Sequence, residues 1–473
     1  MEQPDFVSEP QAAGGGGAGV RRETLVTEVM GGIAEAEDRL PQRPGQWLGL
    51  MAAAAIVGAV VGVVGAAFRL SLSWFGHLRT EVVVFGHSHA AGWIGWVIPT
   101  GFCAGGAWMG SWLTQRLAPQ TAGSGIPRVE AVLRAHLRPA EAHILLVKLV
   151  GGSLSIGSGL ALGREGPTVQ MGGTIGRLAS DALRRFVTEP WTLIAAGAGA
   201  GLAVAFNSPL AAVIFVVEEL LHRFSARVFS ATLIACISGT LVLRAMLGNA
   251  PDFRVAALPA VTADVLPEYF VLGVAVGFVG LAFNVSLLRS LRLFDRARRW
   301  PPGTKGAVVG AAAGLIAWFA PGSVGGGENL AQTAIEGRLA WGAIIALLAM
   351  RFALTMASYG CGAPGGIFAP LLVLGALVGN AFGAANSGLR HVHSDPAAFA
   401  IVAMAACFTA VVRSPLTGVV LLLEMTGSWT LILPMMAASL TAYAVPELFG
   451  NLPIYDSLRA RDEEMERRRG AQS

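Results

Sequence analysis

One Arg–Glu pair lies inside a long apolar stretch, where charged side chains are unusual. The segment is Gly163-Arg164-Glu165-Gly166-Pro167, and the sequence on both sides of it holds little charge. An ionisable group at membrane depth costs roughly 2.5–3.5 kcal/mol on insertion scales, so such a group is either paired or functional. Pro167 predicts that a helix starts near Gly166. The positive end of that helix would attract both the Glu165 carboxylate and a mobile anion.

Two further breaks carry the same combination of glycine and proline. Residues 123–127 read GSGIP, and residues 365–370 read GGIFAP. In each break, proline marks the first turn of a helix and the glycines leave backbone N–H groups accessible. Three helix starts could therefore aim at one point and supply partial positive charge without a full cation. That chemistry suits an anion that must bind and must also leave.

The composition places this chemistry in a membrane. The 473 residues are 54% hydrophobic and 14% charged, whereas a soluble domain carries about 25% charged residues. The net charge of +4 comes from lysines and arginines between apolar runs, which argues against nucleic-acid binding. The cysteines show no metal-binding spacing and are interpreted as packing residues; they are Cys103, Cys236, Cys361 and Cys407.

Apolar runs along the chain are predicted to form membrane helices. Several are shorter than the ~20 residues that span a bilayer, and many contain glycine or proline. Broken and half-crossing helices are expected, because such breaks survive in lipid only where protein or a water-filled cavity covers them. The runs cover residues 47–75, 93–116, 143–162, 191–206, 208–222, 228–248, 265–290, 306–320, 341–358, 366–385, 397–411 and 430–449.

The charged loops predict an orientation in the membrane. Basic residues crowd the linker between 289 and 305, whereas the loop 249–267 holds almost none. The positive-inside rule therefore puts the linker in the cytoplasm and the loop outside, with both arginine-rich termini in the cytoplasm. Residues 1–45 are predicted to form a polar lead without a signal-peptide pattern. A transport domain is expected over 46–465, followed by a charged tail at 466–473.

The chain also repeats itself. The tripeptide Ser-Pro-Leu at 208–210 recurs at 414–416, and Glu218 recurs as Glu424, both at an offset of 206. Upstream, a proline and two glycines recur at an offset of 203, as Pro167, Gly172 and Gly176 and then as Pro370, Gly375 and Gly379. Chance similarity between Ala/Gly-rich helices is the alternative.

Two halves with interrupted helices at matching places are typical of secondary transporters, whose site lies at the repeat interface. The halves cover about 47–248 and 265–449. We therefore predict an all-α polytopic membrane protein with two structurally repeated halves and broken, half-crossing helices. The halves are expected to be inverted, a relation that the letters themselves do not encode.

The three broken segments resemble the signature motifs of the CLC family of chloride channels and chloride/proton exchangers, of the prokaryotic type without CBS domains. GSGIP, GREGP and GGIFAP stand in the family's order, and the similarity runs from about residue 47 to 465. The segment 452–455, Leu-Pro-Ile-Tyr, resembles the start of the family's last conserved helix. The resemblance implies a homodimer with one pore in each subunit, in a bacterial inner membrane. It implies no cofactor, only bound chloride as substrate.

The resemblance assigns a role to each residue of an anion site. Ser124 and Tyr455 are similar to the hydroxyl donors of a central chloride, and the backbone N–H groups of Ile367 and Phe368 would complete that shell. Chloride is the expected anion, because the family's nitrate-preferring members carry proline at the position of Ser124. Glu165 resembles the gating glutamate, whose carboxylate occupies an anion site and swings away when protonated.

Two acids are expected to carry the proton. The alternative for Glu165 is a structural pair with Arg164, which their adjacent positions on a helix disfavour. Glu219 aligns with the family's inner proton-transfer glutamate, a position that is acidic in exchangers and apolar in channels. Capping of a helix at the cytoplasmic interface is the alternative for Glu219, and it is the favoured interpretation of its neighbour Glu218.

The family pattern also suggests that Glu130 and Lys148 form a buried, structural ion pair near the site, whose disruption would be costly. Arg128 departs from the acidic residue that many relatives carry after the GSGIP segment, and it could alter the field at the inner mouth. The His-x-His pairs at 87–89 and 391–393 are interpreted as solvated loop residues, with a metal site as the alternative.

A proton-coupled chloride antiporter is the function that these features predict, with chloride, protons and membrane lipid as its partners and no nucleic acid. One rival is a passive chloride channel of the same fold. Another is an intramembrane serine hydrolase that would use Ser124 or Ser158 with His143 as its base. No motif places His143 near either serine, so we do not expect an enzyme.

Overall fold

The computed structural model describes residues 44–89, 94–137, 139–183, 190–256, 258, 261–297, 299–390 and 395–470. Within these residues the chain is helical, with no β-strand longer than an isolated bridge. Six of the described helices are long and apolar enough to cross a membrane, and several others are shorter apolar helices. The shorter helices would end within a membrane, which is possible only where surrounding protein or a water-filled cavity covers their ends.

The described residues of the first half form eight α-helices, and a π-helical turn, Val216–Leu221, follows the seventh. They are α1 (Pro44–His89), α2 (Val97–Leu117), α3 (Ile126–Leu133), α4 (His143–Gly157), α5 (Glu165–Ala182), α6 (Pro190–Phe206), α7 (Pro209–Phe215) and α8 (Ala226–Leu247).

The second half holds another eight in the same order, and one helix follows them. They are α9 (Leu266–Arg296), α10 (Thr304–Phe319), α11 (Glu328–Ile335), α12 (Trp341–Gly360), α13 (Phe368–Arg390), α14 (Pro396–Val412), α15 (Pro415–Thr426), α16 (Ile432–Leu448) and finally α17 (Ile454–Gly470).

The predicted repeat is present in the backbone as well as in the letters. Helices α3 and α11 are both eight residues long, and each begins after a left-handed glycine, Gly125 at φ 87° and Gly327 at φ 86°. A residue with a Cβ would be strained there, so glycine lets both chains turn sharply into their helices. Before α7 and α15, Asn207 and Arg413 also adopt positive φ, at 54° and 75°.

The repeated glycines mark close helix crossings in both halves. A Cβ on Gly172 of α5 would lie 2.1 Å from the Gly197 carbonyl oxygen of α6. Its counterpart Gly375 on α13 would meet the backbone of Ala403 and Met404 on α14 at 2.6–2.7 Å. Small residues at such crossings let membrane helices pack at backbone distance. The α5–α6 and α13–α14 crossings are therefore the same contact, made once in each half.

Helices α7 and α15 show that the halves are inverted. Glu424, near the end of α15, accepts hydrogen bonds from the Leu210 and Ala211 amides at the start of α7, at 3.2 and 2.8 Å. Glu218, just after α7, accepts from amides at the start of α15, at 3.1 and 2.8 Å. Each helix start lies beside the other helix's end, so the two equivalent helices run antiparallel.

Some predicted boundaries differ from the structure. Helix α1 continues to His89, well beyond the apolar run that ends at residue 75. Its last turns contain polar residues but remain helical. Helix α17 runs from Ile454 to Gly470 and includes the first residues of the charged tail expected at 466–473. Residues 1–43 of the polar lead and the pair His391/His393 lie outside the described residues.

Candidate functional site: an anion site where three broken segments meet

Backbone hydrogen bonds join the three broken segments. Gly123 donates to the Ala363 carbonyl and accepts from the Gly365 amide, both at 3.0 Å. Gly163 and Gly366 exchange a reciprocal pair of bonds, both at 2.8 Å. The segment before α13 is therefore tied to the segments before α3 and α5. The starts of these three helices converge as the sequence predicted, and their positive ends face a common point.

The predicted chloride ligands lie at this convergence. Ser124 and Tyr455 are both buried and their hydroxyls lie near each other, but within the described part of the chain neither hydroxyl makes a hydrogen bond of normal geometry. The amides of Ile367 and Phe368 are likewise absent from the hydrogen bonds of the described residues, as expected for groups at a helix start. Buried polar groups without partners are rare in proteins. Four donors gathered without acceptors are what an anion requires.

Aromatic packing orients the tyrosine and the start of α13. The Phe368 ring lies against the rings of Phe206, Phe215 and Phe408, with centroids 4.5–5.9 Å apart. Its centroid is 6.4 Å from that of Tyr455. A phenylalanine fixed on several sides holds both the α13 backbone and the start of α17. The hydroxyl and the amides are thereby positioned before any ion arrives.

Glu165 is the first residue of α5 and is fully buried. The backbone amides of Glu165 itself and of Ala369 lie close to its carboxylate. Neither carboxylate oxygen accepts a hydrogen bond of normal geometry from the described residues. Ala369 belongs to the first turn of α13, so the carboxylate lies at the positive end of that helix. The side chain therefore occupies a place that would equally suit an anion.

Arg164 does not make the structural pair with Glu165 that was the alternative. Its guanidinium contacts Asp252 at 3.3 Å and Glu328 at 2.8 Å, and it donates to the Ala205 carbonyl at 3.0 Å. Sequence reasoning missed these two acids, because they are distant in the chain. Arg164 therefore makes no direct ion pair with Glu165, although its charge is close enough to act on the buried carboxylate.

Two cavities lie on the Arg164 side of Glu165. The smaller, of about 10 Å³, is lined by Glu165 and Arg164 among others, and the larger vestibule has a volume of about 810 Å³. Both are lined by Arg164, Glu328 and Ala369. The smaller cavity also contacts Asp252 of the loop predicted to lie outside. Glu165 thus borders a route towards the predicted outer surface.

Glu219 lies on the π-helical turn after α7 and is 5% exposed. The hydroxyl of Ser414 donates to its Oε2 atom. Glu218, beside it, caps a helix, as its favoured interpretation predicted, although the helix belongs to the other half of the chain. π-Helical turns are frequent at functional sites because they re-aim neighbouring side chains. Here both adjacent acids face the start of α15.

The expected ion pair between Glu130 and Lys148 is not formed, and that prediction was wrong. Lys148 is fully buried, but its ammonium donates to the Thr121 and Gly123 carbonyls, both at 2.8 Å. Glu130 contacts Arg134 at 2.8 Å and Arg459 at 3.2 Å instead. An ammonium has three donors that backbone carbonyls can accept, and no side-chain pattern in the sequence marks those carbonyls.

The second half contains the counterpart of Lys148, which sequence reasoning missed. Arg351, buried on α12, donates to the Ser323, Gly325 and Gly326 carbonyls at 2.8–3.1 Å. The two cations stand 203 positions apart, the same offset as the repeated proline and glycines. Each clamps the loop that precedes a short helix, α3 or α11. The sequence contained a signal for Arg351, which is a lone cation in an apolar run at the repeat offset from Lys148.

Helix α17 docks through charged residues after Tyr455. Arg128, singled out for its unusual sign, contacts Glu466 at 3.1 Å, and Arg461 contacts Asp295 at 2.9 Å. Burial raises the pKa of the Asp462 carboxyl to about 6, against the opposing effect of Arg128 and Arg461. Arg128 therefore holds the helix that carries Tyr455 and does not face the chloride ligands.

The remaining candidates have ordinary surroundings. The four cysteines are buried and free, which confirms their interpretation as packing residues. His87 and His89 lie in the last turn of α1 and not in a loop as expected, and the His87 ring stacks on Trp318. The described residues contain no cluster of metal-binding side chains. His143 contacts Glu141 at 3.3 Å and neither of the serines considered for a hydrolase.

The family described as Voltage gated chloride channel matches residues 100–447. The H(+)/Cl(-) exchange transporter ClcA of Salmonella arizonae is 39% identical over 433 residues, which cover 89% of this chain and 90% of the relative. The ClcA of Salmonella typhi is 38% identical over an alignment of the same length and the same coverage.

Solved structures show the same relationship. A structure described as a slow cyanobacterial Cl-/H+ antiporter has a TM-score of 0.83 at 34% identity and covers 90% of this chain and 99% of that one. A CLC-type fluoride/proton antiporter has a TM-score of 0.71 at 20% identity, covers 88% of this chain and 98% of its own, and shows the fold alone. The fold and site define an all-α membrane transport protein of inverted repeats. The chain belongs to the CLC family of voltage gated chloride channels and chloride/proton exchangers.

Proposed function

We propose that this protein exchanges chloride for protons across a membrane, with Glu165 as the gate and outer proton acceptor. The observation that carries the proposal is the set of buried hydroxyls and amides at the helix convergence, which have no regular acceptors among the described residues. Relatives named as H(+)/Cl(-) exchange transporters support it. Such an exchanger needs no cofactor, because the two ion gradients supply the free energy.

The chloride step follows from the donors of the site. Chloride enters from the cytoplasm between Ser124 and Tyr455, and the amides of Ile367 and Phe368 complete its shell. Each donor contributes a dipole and not a full charge, so the ion is held and also released. While ionised, Glu165 competes with chloride at the helix ends and blocks its outward movement.

The proton step uses two acids. A proton from the outer cavity neutralises Glu165, whose side chain then leaves the anion site and lets chloride pass outward. Glu219 receives the proton on the inner side and releases it to the cytoplasm. The burial of Glu219 next to the start of α15 supports this role.

A passive chloride channel of the same fold is the second candidate. A channel needs a gate but has no need for a second buried acid on the inner side. Glu219, held by Ser414, therefore favours exchange. Capping accounts for Glu218 but not for Glu219, which contacts a side chain and not the amides of a helix start.

The remaining features of the proposal rest on family resemblance and charge. We propose a homodimer with one pore in each subunit, in a bacterial inner membrane, with both termini in the cytoplasm. The contact of Arg461 with Asp295, in the region of the basic linker, agrees with a cytoplasmic end of α17.

Flux measurements in proteoliposomes with paired chloride and pH electrodes test the proposal. Glu165→Gln should abolish proton movement and leave chloride flux, because an uncharged amide neither blocks the anion nor carries a proton. Glu219→Gln should also stop proton movement. Glu81→Gln, at an exposed position of α1, is the control and should match the parent. Intact proton transport in the Glu165→Gln variant would remove this residue from the mechanism.

A further inference from the structure

The serine that precedes α15 contacts the inner acid of the proposed proton route. Ser414 is 1% exposed, and its hydroxyl donates to Oε2 of Glu219. Within the described residues, no other side chain forms a hydrogen bond with the Glu219 carboxyl. A donor at one carboxyl oxygen fixes the rotation of the carboxyl and leaves Oε1 to carry a proton.

The backbone around Ser414 is held on both sides. After it, the Leu416 and Thr417 amides are bound to Glu218, the residue next to Glu219. The π-helical turn and the first turn of α15 are thus joined through Ser414, Leu416 and Thr417. The hydroxyl and the carboxyl are therefore parts of one rigid junction.

Before Ser414, Arg413 holds the sharp turn into α15. Its φ of 75° is unusual for a residue with a side chain, and its guanidinium donates to the carbonyls of Ala410 and Asn451. Strained backbone of this kind persists where surrounding contacts determine it. The hydroxyl of Ser414 consequently has little freedom to move away from Glu219.

The equivalent serine before α7 has no acid at the position that corresponds to Glu219. Ser208, before α7, has φ −127° and ψ 82°, and Ser414 has φ −112° and ψ 79°. The hydroxyl of Ser208 donates to the Phe206 carbonyl. At the repeat offset of 206, the position that matches Glu219 is Met425, which is at best a weak acceptor. Ser414 thus bonds an acid of the other half, whereas Ser208 has no equivalent acid to bond.

The charged residues that act most strongly on Glu219 from its surroundings are acids. They are Glu130 on α3, Asp456 on α17 and the neighbouring Glu218. Like charges repel an ionised carboxylate from its place. Among the contacts of the described residues, the Ser414 hydroxyl donates a hydrogen bond to Glu219 and so opposes this repulsion.

We propose that Ser414 is a positioning residue for proton transfer, whose hydroxyl holds the Glu219 carboxyl in the orientation that receives and releases the proton. This inference rests on the proposed exchange function. Removal of the hydroxyl leaves the acid in place but free to rotate among repelling neighbours. Proton movement should slow while the chloride ligands remain intact.

Proton and chloride fluxes of a matched pair of variants test the proposal. Ser414→Thr keeps the hydroxyl, and Ser414→Val has the same shape without it. We expect Ser414→Val and Ser414→Ala to lower proton flux on the order of tenfold, as misplaced transfer groups do, and Ser414→Thr to restore it. Ser208→Ala, the same change on the same backbone in the other half, should match the parent.

A second background separates positioning from a structural role. In the Glu165→Gln protein, chloride flux is expected to be independent of protons, so adding Ser414→Val should leave that flux unchanged. An equal loss of chloride flux there would overturn the proposal, as would parental proton flux in Ser414→Val. If the parent itself moves no protons, the exchange function fails and this inference fails with it. If the parent moves protons and the serine variants move them equally fast, this inference fails but the exchange function stands.

Discussion

At position 166, a side chain of any size would collide with the hydroxyl proposed to bind chloride. A Cβ on Gly166 would lie 2.3 Å from Ser124 Oγ, 2.5 Å from its carbonyl oxygen and 2.8 Å from its Cα. Two of these atoms belong to the backbone, so a rotamer change of the serine could not relieve the overlap. The glycine therefore sets how closely the starts of α3 and α5 approach each other.

The Gly166→Ala variant is expected to bind chloride less tightly by on the order of tenfold, since about 1.4 kcal/mol of misplacement suffices. Overpacking of this kind costs about 1–3 kcal/mol. Calorimetric titration of chloride into the purified protein measures the change. Gly105→Ala on α2 is the control, because a Cβ there meets no atom within 4 Å. Equal chloride affinity in both variants would contradict this view of the site.

The sequence motifs indicated individual candidate residues, but they did not predict which groups contact one another. Ser124 and Glu165 stand at breaks that glycine and proline announce, so their convergence could be predicted from the letters. The partners of Lys148 could not, because they are backbone carbonyls and carbonyls occur at every position. The acids that hold Arg164 escaped prediction for a related reason, since they come from loops distant in sequence.

Among the helices, the repeated Ser-Pro-Leu segments build a reciprocal junction. Glu218 binds the start of α15, and Glu424 binds the start of α7. The repeat predicted that the two acids are equivalent, but their letters do not reveal that each caps the helix of the other half. Only the antiparallel arrangement of α7 and α15 makes that exchange possible. The junction therefore ties the two halves together.

Each cap should contribute measurably to stability. Glu218→Ala and Glu424→Ala are each expected to lower the free energy of unfolding by about 1–2 kcal/mol, the usual value of a helix cap that accepts amide bonds. Equilibrium unfolding in detergent would measure the loss, with Glu81→Ala on the exposed part of α1 as the control. If either cap variant were as stable as the control, the junction would not support the fold.

For the whole molecule, composition and charge predicted the class, whereas inversion needed the structure. Six described helices could span a bilayer, and the shorter ones survive because neighbouring helices cover their ends. Glu165 borders the cavities near Asp252, and Glu219 lies on the turn that faces α15 and α17. Acids with different surroundings are what coupled exchange requires, and a channel would have no use for the second.

Uphill proton movement driven by a chloride gradient tests the central claim most directly. Proteoliposomes that contain the purified protein are loaded with high chloride and diluted into low chloride at equal pH, with valinomycin and potassium to prevent charge build-up. A pH electrode should record protons entering the vesicles as chloride leaves, and the Glu165→Gln protein should show chloride efflux alone. Chloride efflux without any proton movement in the parent would contradict exchange and identify a passive channel.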